Sequence, residues 1–422
     1  MHSSRAIFNQ VDPRPFHVVH RCRVCGSTDL QSVVDLGVQS LTGVFPRTAD
    51  AQLTRGPLEV VRCTGDCGLV QLHHRYDPGE LYGGDYGYRS ALNRSMVEHL
   101  HETVQALLAR VPVGAGDVVL DIGSNDGTTL SFYPERATLI GIDPTAAKFA
   151  KFYRPHIAVV PDFFTAAAFF AASGGRRAKI VTSIAMFYDL DDPLSFMRQV
   201  RSVLAEDGIW HVEMSYLHSM LAANAYDTIC HEHSEYYSLT TLVWMADRAG
   251  FSILDVSLNA TNGGSFALTL SKAHPGEATH APAVARMLED EERAGLEPFA
   301  RFAATVAAHG RELRALLEDL RARGQRVLGL GASTKGNVLL QYCGVGRDLL
   351  AAIADVNPDK LGGFTPGTGI PIVSEEEVLA QKPDVLLVLP WHFRETMIRR
   401  MKPALDEGVR LLFPLPTIAF VP

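Results

Sequence analysis

Short apolar runs alternate with helical stretches along most of the chain. The runs VVLDIG, TLIGIDP, KIVTSIAMF and GIWHVEMS predict buried strands, and the stretches between them have helical periodicity. After a charge-rich amphipathic stretch that predicts a helix from about Ala283 to Arg323, the alternation returns in RVLGLGAS, LAAIADVN, DVLLVLP and VRLLFP. Strands that alternate with helices favour parallel sheets covered by helices. The pattern therefore predicts an α/β protein with two Rossmann-like sheets.

The segment before the first of these strands has a different pattern. It is short, strand-like and punctuated by glycine and cysteine. We therefore expect three domains: a small N-terminal domain at residues 1–75, a central Rossmann-like domain at residues 76–280 and a C-terminal Rossmann-like domain at residues 281–422. A chain of 422 residues has the length for this number of domains.

Composition and charge exclude several classes of partner. Hydrophobic residues make up 47% of the chain and charged residues 20%, which is typical of a globular protein with a sizeable core. The formal net charge is −8 without a basic run, which argues against nucleic acid or an anionic membrane as the main partner. The N-terminal residues lack the apolar core of a signal sequence, and no apolar run is long enough to span a bilayer. We therefore expect a cytoplasmic protein with reduced thiols. The oligomeric state stays open, and a monomer is compatible with the sequence.

Four of the six cysteines form two close pairs. Cys22 and Cys25 form a CxxC in RCRVCGS, whereas Cys63 and Cys67 form a CxxxC in RCTGDCG. Each pair suits a tight knuckle, and four thiolates around one centre favour a closed, structural Zn²⁺ site. Two alternatives stay open: four unrelated buried cysteines, or a site in which a histidine of QLHHRY replaces one sulfur.

A strand, a glycine turn and a helix start follow one another in VVLDIGSNDGTTL. A dinucleotide fold prefers GxGxxG, whereas this turn is acidic and polar, which suits a cationic sulfonium ligand with an amino-acid tail. Asp143 ends the next strand, where a carboxylate can accept hydrogen bonds from both ribose hydroxyls, and Asp162 in PDFF is a candidate partner of the adenine amino group. The turn resembles the first motif of class I methyltransferases and so predicts S-adenosylmethionine as cofactor; a Rossmann fold for another nucleotide is the alternative. The candidate cofactor-binding residues are Asp121, Gly123, Ser124, Asn125, Asp126, Asp143, Pro144, Asp162 and Ser183.

Titratable side chains are concentrated in NAYDTICHEHSEYYSL, directly after the strand WHVEMS. A carbon next to a ketone must lose a proton before it is methylated, and histidine is the usual general base near neutral pH. A neighbouring carboxylate can orient or activate that base. Cys230, His231, Glu232 and His233 are therefore candidate catalytic residues. Because adjacent residues chelate a metal poorly, a metal site is a weaker alternative, as is an inert polar loop.

The third segment carries a second glycine turn, in RVLGLGASTKGNVLL. Its backbone amides and Lys335 could bind a pyrophosphate, although the same turn could serve NAD or only close the fold. Trp391 follows the later strand VLLVLP, at the edge where ligands usually meet a parallel sheet. Tyr86 and Tyr88 are candidates for the sugar pocket, and ordinary packing between domains is the alternative explanation for both. The candidate substrate-binding residues are Tyr86, Tyr88, Asn262, Ser333, Lys335 and Trp391.

In this order, the motifs resemble the C-3 methyltransferases of deoxysugar biosynthesis, which make branched sugars such as mycarose and tetronitrose. The resemblance covers essentially the whole chain, through the cysteine pairs and CGLVQL, DYGYRS, LDIGSNDGTTL, YDTICHEHSEYYSL, NGGS, GASTKGNVLL and GFTPGTGIPI. It implies a zinc domain, then a methyltransferase domain, then a Rossmann-like domain that contributes to binding the sugar nucleotide. It also implies a dTDP-linked 4-keto-2,6-dideoxyhexose as substrate.

The resemblance assigns the general base to His233, with Glu232 as its partner. Some relatives have tyrosine in place of Cys230 and histidine in place of Asp189, so both positions are candidate catalytic residues. One relative, from the mithramycin pathway, resembles a bifunctional enzyme that also reduces the C-4 ketone, which makes NADPH a further candidate cofactor. A nicotinamide-dependent sugar oxidoreductase and a noncatalytic zinc scaffold are the alternative functions.

Overall fold

The computed structural model describes residues 15–82, 88–273 and 281–422. The N-terminal domain is a small β structure in which β2, β3 and β4 form an antiparallel sheet and β1 pairs with β5 beside it. Its elements are β1 (Phe16–Val18), β2 (Leu30–Ser40), β3 (Arg55–Cys63), β4 (Val70–Leu72), β5 (His74–Tyr76) and α1 (Pro78–Leu81).

The central domain is built around a seven-stranded sheet with the order β12-β13-β10-β9-β6-β7-β8. Its elements are α2 (Arg94–Arg110), β6 (Val118–Ile122), β7 (Thr138–Ile142), α3 (Ala146–Phe149), β8 (Ile157–Val160), α4 (Ala166–Ser173), β9 (Ala178–Ile184), α5 (Pro193–Val203), β10 (Leu204–Ser215), α6 (Leu217–Ala222), α7 (Leu239–Ala249), β12 (Phe251–Asn259) and β13 (Ser265–Lys272). This part of the chain also contains β11 (Glu235–Tyr236), which pairs with the N-terminal sheet. Strands β8, β7, β6, β9 and β10 are parallel, and β13 runs antiparallel to both of its neighbours. The strand order reverses between β6 and β9, so the carboxyl ends of these strands form the crevice in which such sheets bind ligands.

The C-terminal domain holds a six-stranded sheet with the order β16-β15-β14-β17-β18-β19, parallel except for β19. Its elements are α8 (Pro282–Ala294), α9 (Glu297–Ala322), β14 (Val327–Leu330), α10 (Thr334–Tyr342), β15 (Ile353–Ala354), β16 (Ile372–Val373), α11 (Glu375–Ala380), β17 (Val385–Val388), α12 (Arg394–Arg400), α13 (Lys402–Asp406), β18 (Arg410–Phe413) and β19 (Ala419–Val421). The α/β fold with two Rossmann-like sheets is thus confirmed. The single helix predicted from Ala283 to Arg323 is instead two helices, because Gly295 takes a φ of 57° in the left-handed region and ends α8.

The strand β11 links the central chain segment to the N-terminal domain. Glu235 and Tyr236 pair antiparallel with Gln71 and Val70 of β4, which gives the N-terminal sheet the order β11-β4-β3-β2. The sequence motif HEH lies immediately before β11, so the cysteine-containing sheet helps to position it. Among the described helices, none combines the length and apolar character needed to cross a bilayer.

Candidate active site and metal centre

The four paired cysteines converge at one end of the N-terminal sheet. Their sulfur atoms all lie within 4.8 Å of one another, and the Sγ–Sγ distances are 3.3 Å for Cys22–Cys67 and 3.5 Å for Cys25–Cys63. A tetrahedral zinc with Zn–S bonds of about 2.3 Å holds its sulfurs about 3.8 Å apart, so these residues fit Zn²⁺. Three of the four are buried, and the set leaves no ligand position for a substrate, as expected of a structural site.

Neither nearby histidine belongs to this cluster. Nδ1 of His73 lies 2.8 Å from a carboxylate oxygen of Glu59, and the ring of His74 packs edge-on against Phe16. The alternative in which a histidine replaces one sulfur is therefore wrong. The knuckle is fixed instead by its neighbours in the sheet, since Arg23 lies between the first two cysteines and donates to the carbonyls of β4 and β5.

A cavity of about 280 Å³ opens at the carboxyl ends of β6, β7 and β9, where the sheet order reverses. Asp121, Gly123, Ser124, Asn125, Asp143, Pro144, Tyr88 and Asp189 are the predicted site residues on its wall. Asp143 organises the turn: its carboxylate accepts hydrogen bonds from the backbone amides of Asn125 at 2.8 Å and Thr145 at 2.6 Å. Burial raises the pKa of Asp121 to about 7, and its carboxylate accepts from Thr182 Oγ1 at 2.5 Å.

Three predicted cofactor-binding residues do not line this cavity. Asp126 accepts a hydrogen bond from the amide of Ala91 at 3.0 Å and so holds the segment 88–92 over the turn. The exposed side chain of Asp162 accepts from the amide of its neighbour Phe163, which itself lines the cavity. Ser183 is buried, and its hydroxyl accepts from Trp210 Nε1 at 3.1 Å. Each of these side chains is occupied by a contact within the fold.

His233 has one ring nitrogen fixed and the other available. Its Nδ1 lies 2.8 Å from the carbonyl oxygen of Thr228, so Nδ1 carries the proton and Nε2 keeps its lone pair. Burial, reinforced by the charge of Lys335, lowers the pKa of His233 to about 3, which keeps the ring neutral near pH 7. The ring packs on Tyr188 with a centroid distance of 4.2 Å. Asp189, the residue after Tyr188, is on the wall of the cavity.

The other residues of the motif face the N-terminal domain. The ring of His231 packs edge-on against Tyr76 with a centroid distance of 4.7 Å, and its Nδ1 lies 3.5 Å from Thr42 Oγ1. Glu232 accepts from the same hydroxyl at 3.4 Å. Cys230 is buried in the apolar core. Because the side chains of HEH point to different surroundings, they do not form a metal-ligand set within the described part of the chain.

Burial shifts the pKa of the carboxyl groups near this motif upward. Burial raises the pKa of Asp189 well above its usual range, and it also raises the pKa of Glu232. Burial also raises the pKa of Asp227, whereas the charge of Lys335 and the hydrogen bond from Trp391 lower it. The indole Nε1 of Trp391 donates to Asp227 at 2.7 Å. The sequence analysis did not single out Asp227. Its position in YDTICHEH, four residues before His231, was a signal that could have identified it.

The candidate substrate-binding residues fall into two groups. Lys335 donates to the carbonyl oxygen of Asn262 at 2.8 Å and lies near Asp227, so Lys335, Asn262 and Trp391 come together beside the HEH loop. The hydroxyl of Ser333 caps α10 by accepting from the amide of Gly336 at 3.0 Å. Tyr88 is on the wall of the cavity at β6, and Tyr86 lies outside the described residues.

The fold and the cavity define a class: a Rossmann-like methyltransferase that uses S-adenosylmethionine. Family models match this chain as a zinc binding domain at residues 22–82, a methyltransferase domain at 96–256 and a C-methyltransferase C-terminal domain at 260–416. The chain belongs to the C-methyltransferase family that includes NovU of Streptomyces niveus. It is 32% identical to NovU over 407 residues, which cover 94% of this chain and 96% of NovU.

Solved methyltransferase structures resemble less than half of the chain. The CcbJ methyltransferase from Streptomyces caelestis is 13% identical, with a TM-score of 0.32 over 42% of this chain and 90% of that one. An S-adenosylmethionine-dependent methyltransferase from Clostridium acetobutylicum is 10% identical, with a TM-score of 0.33 over 42% and 92%. Scores this low carry no argument about the activity of this chain.

Proposed function

We propose that this enzyme methylates C-3 of a dTDP-linked 4-keto-2,6-dideoxyhexose during the biosynthesis of a branched deoxysugar. The observation that carries the proposal is His233, a neutral histidine with an available Nε2, whose ring packs on Tyr188, the chain neighbour of Asp189 on the wall of the candidate donor cavity. A carbon acid needs such a base beside the methyl donor. The sugar nucleotide is proposed from the ordered set of motifs that runs through the whole chain.

The cavity at β6 fits S-adenosylmethionine. We assign the ribose hydroxyls to Asp143 and the amino-acid end to the glycine turn with Asp121, since acidic groups suit a cationic ligand. Phe163 and Phe164 on the same wall offer apolar surface for the adenine ring. When bound, the cofactor supplies an electrophilic methyl group.

His233 is proposed to take the C-3 proton at Nε2. The acceptor carbonyl of Thr228 holds Nδ1–H, so the imidazolium that forms keeps its orientation. Lys335 is near enough to lower the pKa of His233, and its charge would therefore favour the negative charge that develops on the C-4 oxygen. His231 and Cys230 are not proposed for that role, because both face the packed core around the N-terminal sheet. Glu232 is proposed to fix the loop through Thr42.

A nicotinamide-dependent reduction is not part of this proposal. Asp355, which ends β15 where an NAD-binding fold places its ribose acceptor, accepts from the amide of Asn357 at 2.7 Å and lies 3.7 Å from Lys360 Nζ. The expected result is that the protein does not oxidise NADPH when the keto-sugar is present. Loss of absorbance by NADPH would restore the bifunctional alternative.

The direct test of the function is to incubate the protein with methyl-labelled S-adenosylmethionine and a dTDP-4-keto-2,6-dideoxyhexose, then to locate the label by NMR. We expect the label on C-3. Label on an oxygen, or no transfer to any sugar nucleotide, would reject the proposal.

The base is tested by exchange of the C-3 proton in deuterated buffer without methyl donor. His233→Gln should lose most turnover, about a hundredfold or more, together with the exchange, because no group then takes the proton. Its affinity for S-adenosylmethionine should stay near that of the parent. His231→Gln is the matched control and should keep the exchange. Should the parent rate of exchange survive in His233→Gln and vanish in His231→Gln, the base is His231.

A further inference from the structure

Asp189 differs from the other carboxyl groups on the wall of the cavity at β6, the donor cavity. Asp121 accepts a hydrogen bond from a side chain of β9, and Asp143 accepts one from the glycine turn. The carboxylate of Asp191 lies 3.4 Å from the guanidinium of Arg75. Oδ1 of Asp189, in contrast, is buried and has no hydrogen-bond partner in the described part of the chain. A buried carboxyl group with an unsatisfied oxygen is costly, so it points to a ligand that relieves the cost.

The groups around Asp189 are acidic or neutral. The short turn Phe187–Asp189 packs against β10 and β11. Burial raises the pKa of Asp189 and the charge of Glu232 raises it further, whereas a hydrogen bond with Tyr82 lowers it. Within the described residues, no cation is among the groups that act on its ionisation, and Arg23 lies against Glu235 instead, at 3.6 Å. The titratable groups that act on Asp189 or are influenced by it are Tyr82, Cys230, Glu232, Glu235, Tyr236 and Tyr237.

The order of the strands relates Asp189 to the parts of the donor. Across the cavity the strands follow the order β9-β6-β7-β8. The adenine is assigned to the side of Phe163, after β8, and the ribose to Asp143, at the end of β7. Because the sulfur is attached to the ribose, it then lies toward β6 and β9, and Asp189 follows β9. The adjacent Tyr188 packs on His233, so the methyl group and the candidate base are on this same side.

The sulfonium is the part of the donor whose charge changes in the reaction. Transfer breaks the bond between sulfur and the methyl carbon, and the electron pair of that bond stays on sulfur. The electron pair of the acceptor carbon forms the new C–C bond. The cation thereby becomes a neutral thioether, whereas the amino-acid end of the donor keeps its charges in the product. A carboxylate near the sulfur therefore distinguishes donor from product, because opposite charges attract strongly in a desolvated site.

We propose that Asp189 makes the enzyme prefer S-adenosylmethionine to its product S-adenosylhomocysteine, by releasing its proton to solvent when the sulfonium binds and taking a proton back after methyl transfer. The inference rests on the proposed function, which places the donor in this cavity with its methyl group toward His233. Asp189 interacts with a charge that is present before the transfer. It therefore contributes to donor selection and product release, and not to the rate of the transfer itself.

Proton release on binding tests the change of charge. The full-length zinc-loaded protein is titrated near pH 7 with S-adenosylmethionine and, separately, with S-adenosylhomocysteine, in two buffers of different ionisation enthalpy and without an acceptor. S-adenosylmethionine should release more protons, by up to about one per chain, because only the sulfonium lowers the pKa of a neighbouring carboxyl group. Asp121 also titrates in this range, but it is assigned to the amino-acid end that both ligands share, so the difference removes its contribution.

Asp189→Asn removes the charge and keeps the size of the side chain. The parent should bind S-adenosylmethionine about tenfold or more tightly than S-adenosylhomocysteine, and this ratio should fall about tenfold in the variant. The additional proton release should vanish, while affinity for S-adenosylhomocysteine stays within about twofold of the parent. Asp191→Asn is the matched control, since it makes the same change on the same wall at a carboxylate already paired with Arg75. It should keep both the ratio and the proton release.

The preference for the donor should also rise with pH. Above the pKa of Asp189 in the free protein, the carboxylate is charged before binding and the sulfonium gains the whole attraction. Below its pKa in the complex, the carboxyl group is protonated with either ligand and contributes no preference. The affinity ratio should therefore increase from about pH 6 to about pH 8 in the parent and in Asp191→Asn, and stay flat in Asp189→Asn.

The inference is overturned if the parent releases equal numbers of protons with both ligands, or if Asp189→Asn retains the difference in proton release or the affinity ratio. Asp189→Ser is a second uncharged variant, to be measured if the melting temperature shows that Asp189→Asn does not fold. The titrations contain no sugar. Failure here therefore leaves the proposed reaction standing, and failure of label transfer to C-3 leaves the preference for the donor standing.

Discussion

Burial sets the charge of the titratable side chains around the HEH motif. It lowers the pKa of both His231 and His233 to about 3, and it raises the pKa of Glu232 and Asp189. Both imidazole rings are therefore mainly neutral near pH 7, and burial shifts the two carboxyl groups toward their neutral form. Lys335 lies near these groups, and burial lowers the pKa of its ammonium group. A neutral histidine with a lone pair on Nε2 is the form that a general base requires.

Asp143 is the residue whose change should separate donor binding from catalysis. Asp143→Asn should weaken S-adenosylmethionine binding by on the order of 1–3 kcal/mol, because an amide accepts fewer hydrogen bonds from a ribose than a carboxylate does. The measurement is calorimetric titration with the donor, combined with the melting temperature of the variant.

Asp162→Asn is the matched control for this change. Asp162 is exposed beside the same cavity, and its carboxylate accepts from the amide of Phe163. The same substitution there should leave donor affinity nearly unchanged. Equal losses in the two variants would contradict the assignment of the ribose to Asp143.

At the scale of elements, β11 and the loop before it connect the metal centre to the candidate base. The amide of Leu72 in β4 donates to the carbonyl of Ser234 at 2.8 Å, one residue after His233. Arg23, inside the cysteine knuckle, lies 3.6 Å from the carboxyl group of Glu235 in β11. The loop that carries the candidate base is therefore bounded on one side by a strand of the zinc-domain sheet.

Gly43 shows how closely the N-terminal domain approaches this loop. A Cβ atom at this position would overlap Oε1 of Glu232. Gly43→Ala should therefore displace the Glu232 carboxyl group of the HEH loop and lower turnover about tenfold to a hundredfold, because small shifts in a catalytic loop are costly. Steady-state kinetics and donor titration check this, and donor affinity should stay at the parent value.

The control for this change is Gly114→Ala, in the loop before β6. There the nearest atom to an added Cβ is Asp117 Oδ2 at 3.7 Å, which is ordinary contact. This variant should turn over like the parent. If Gly43→Ala is equally active, the loop tolerates displacement and Glu232 does not position it.

At the scale of the whole molecule, the N-terminal domain has only a small core of its own, built from Leu41, Tyr76 and Leu81. Its cysteine end, including Leu69, belongs to the apolar core of the central domain, whereas Leu58 and Val60 of β3 belong to the core of the C-terminal domain. The small sheet therefore joins two larger units. Loss of zinc from this domain should therefore lower the stability of the central and C-terminal domains as well.

We expect one zinc per chain, held by Cys22, Cys25, Cys63 and Cys67. Cys63→Ser should lose the metal and lower the melting temperature of the whole chain, together with turnover, because metal binding contributes directly to folding. Elemental analysis and thermal unfolding test this. Cys343→Ala should keep one zinc, since Cys343 packs in the C-terminal core near Tyr226. Freshly purified protein without zinc, or Cys63→Ser with full metal content, would contradict the assignment.

Local signals in the sequence were sufficient for much of this protein. Paired cysteines, apolar runs such as VVLDIG and the acidic glycine turn act over a few residues, so they predicted the cysteine cluster, the two sheets and the position of the cavity. His233 was also predicted from its motif as the base, but the sequence did not show that Thr228 fixes the orientation of its ring. The break at Gly295 was missed because helical periodicity continues on both sides of it.

Tertiary structure alone decided how these parts are oriented and combined. Adjacent residues of one motif look alike in a sequence, but packing turns His231 toward Tyr76 and His233 toward Tyr188. Likewise, the sequence did not show that Asp126 and Ser183 accept hydrogen bonds within the fold, from the amide of Ala91 and from Trp210. A cavity lined by Arg47, Arg89, Lys148, Lys151 and Lys360 is a further case, because its cations come from distant segments and the net charge of −8 does not reveal them. Only folding brings like charges together, since their contacts are set by the packing of three domains and not by spacing along the chain.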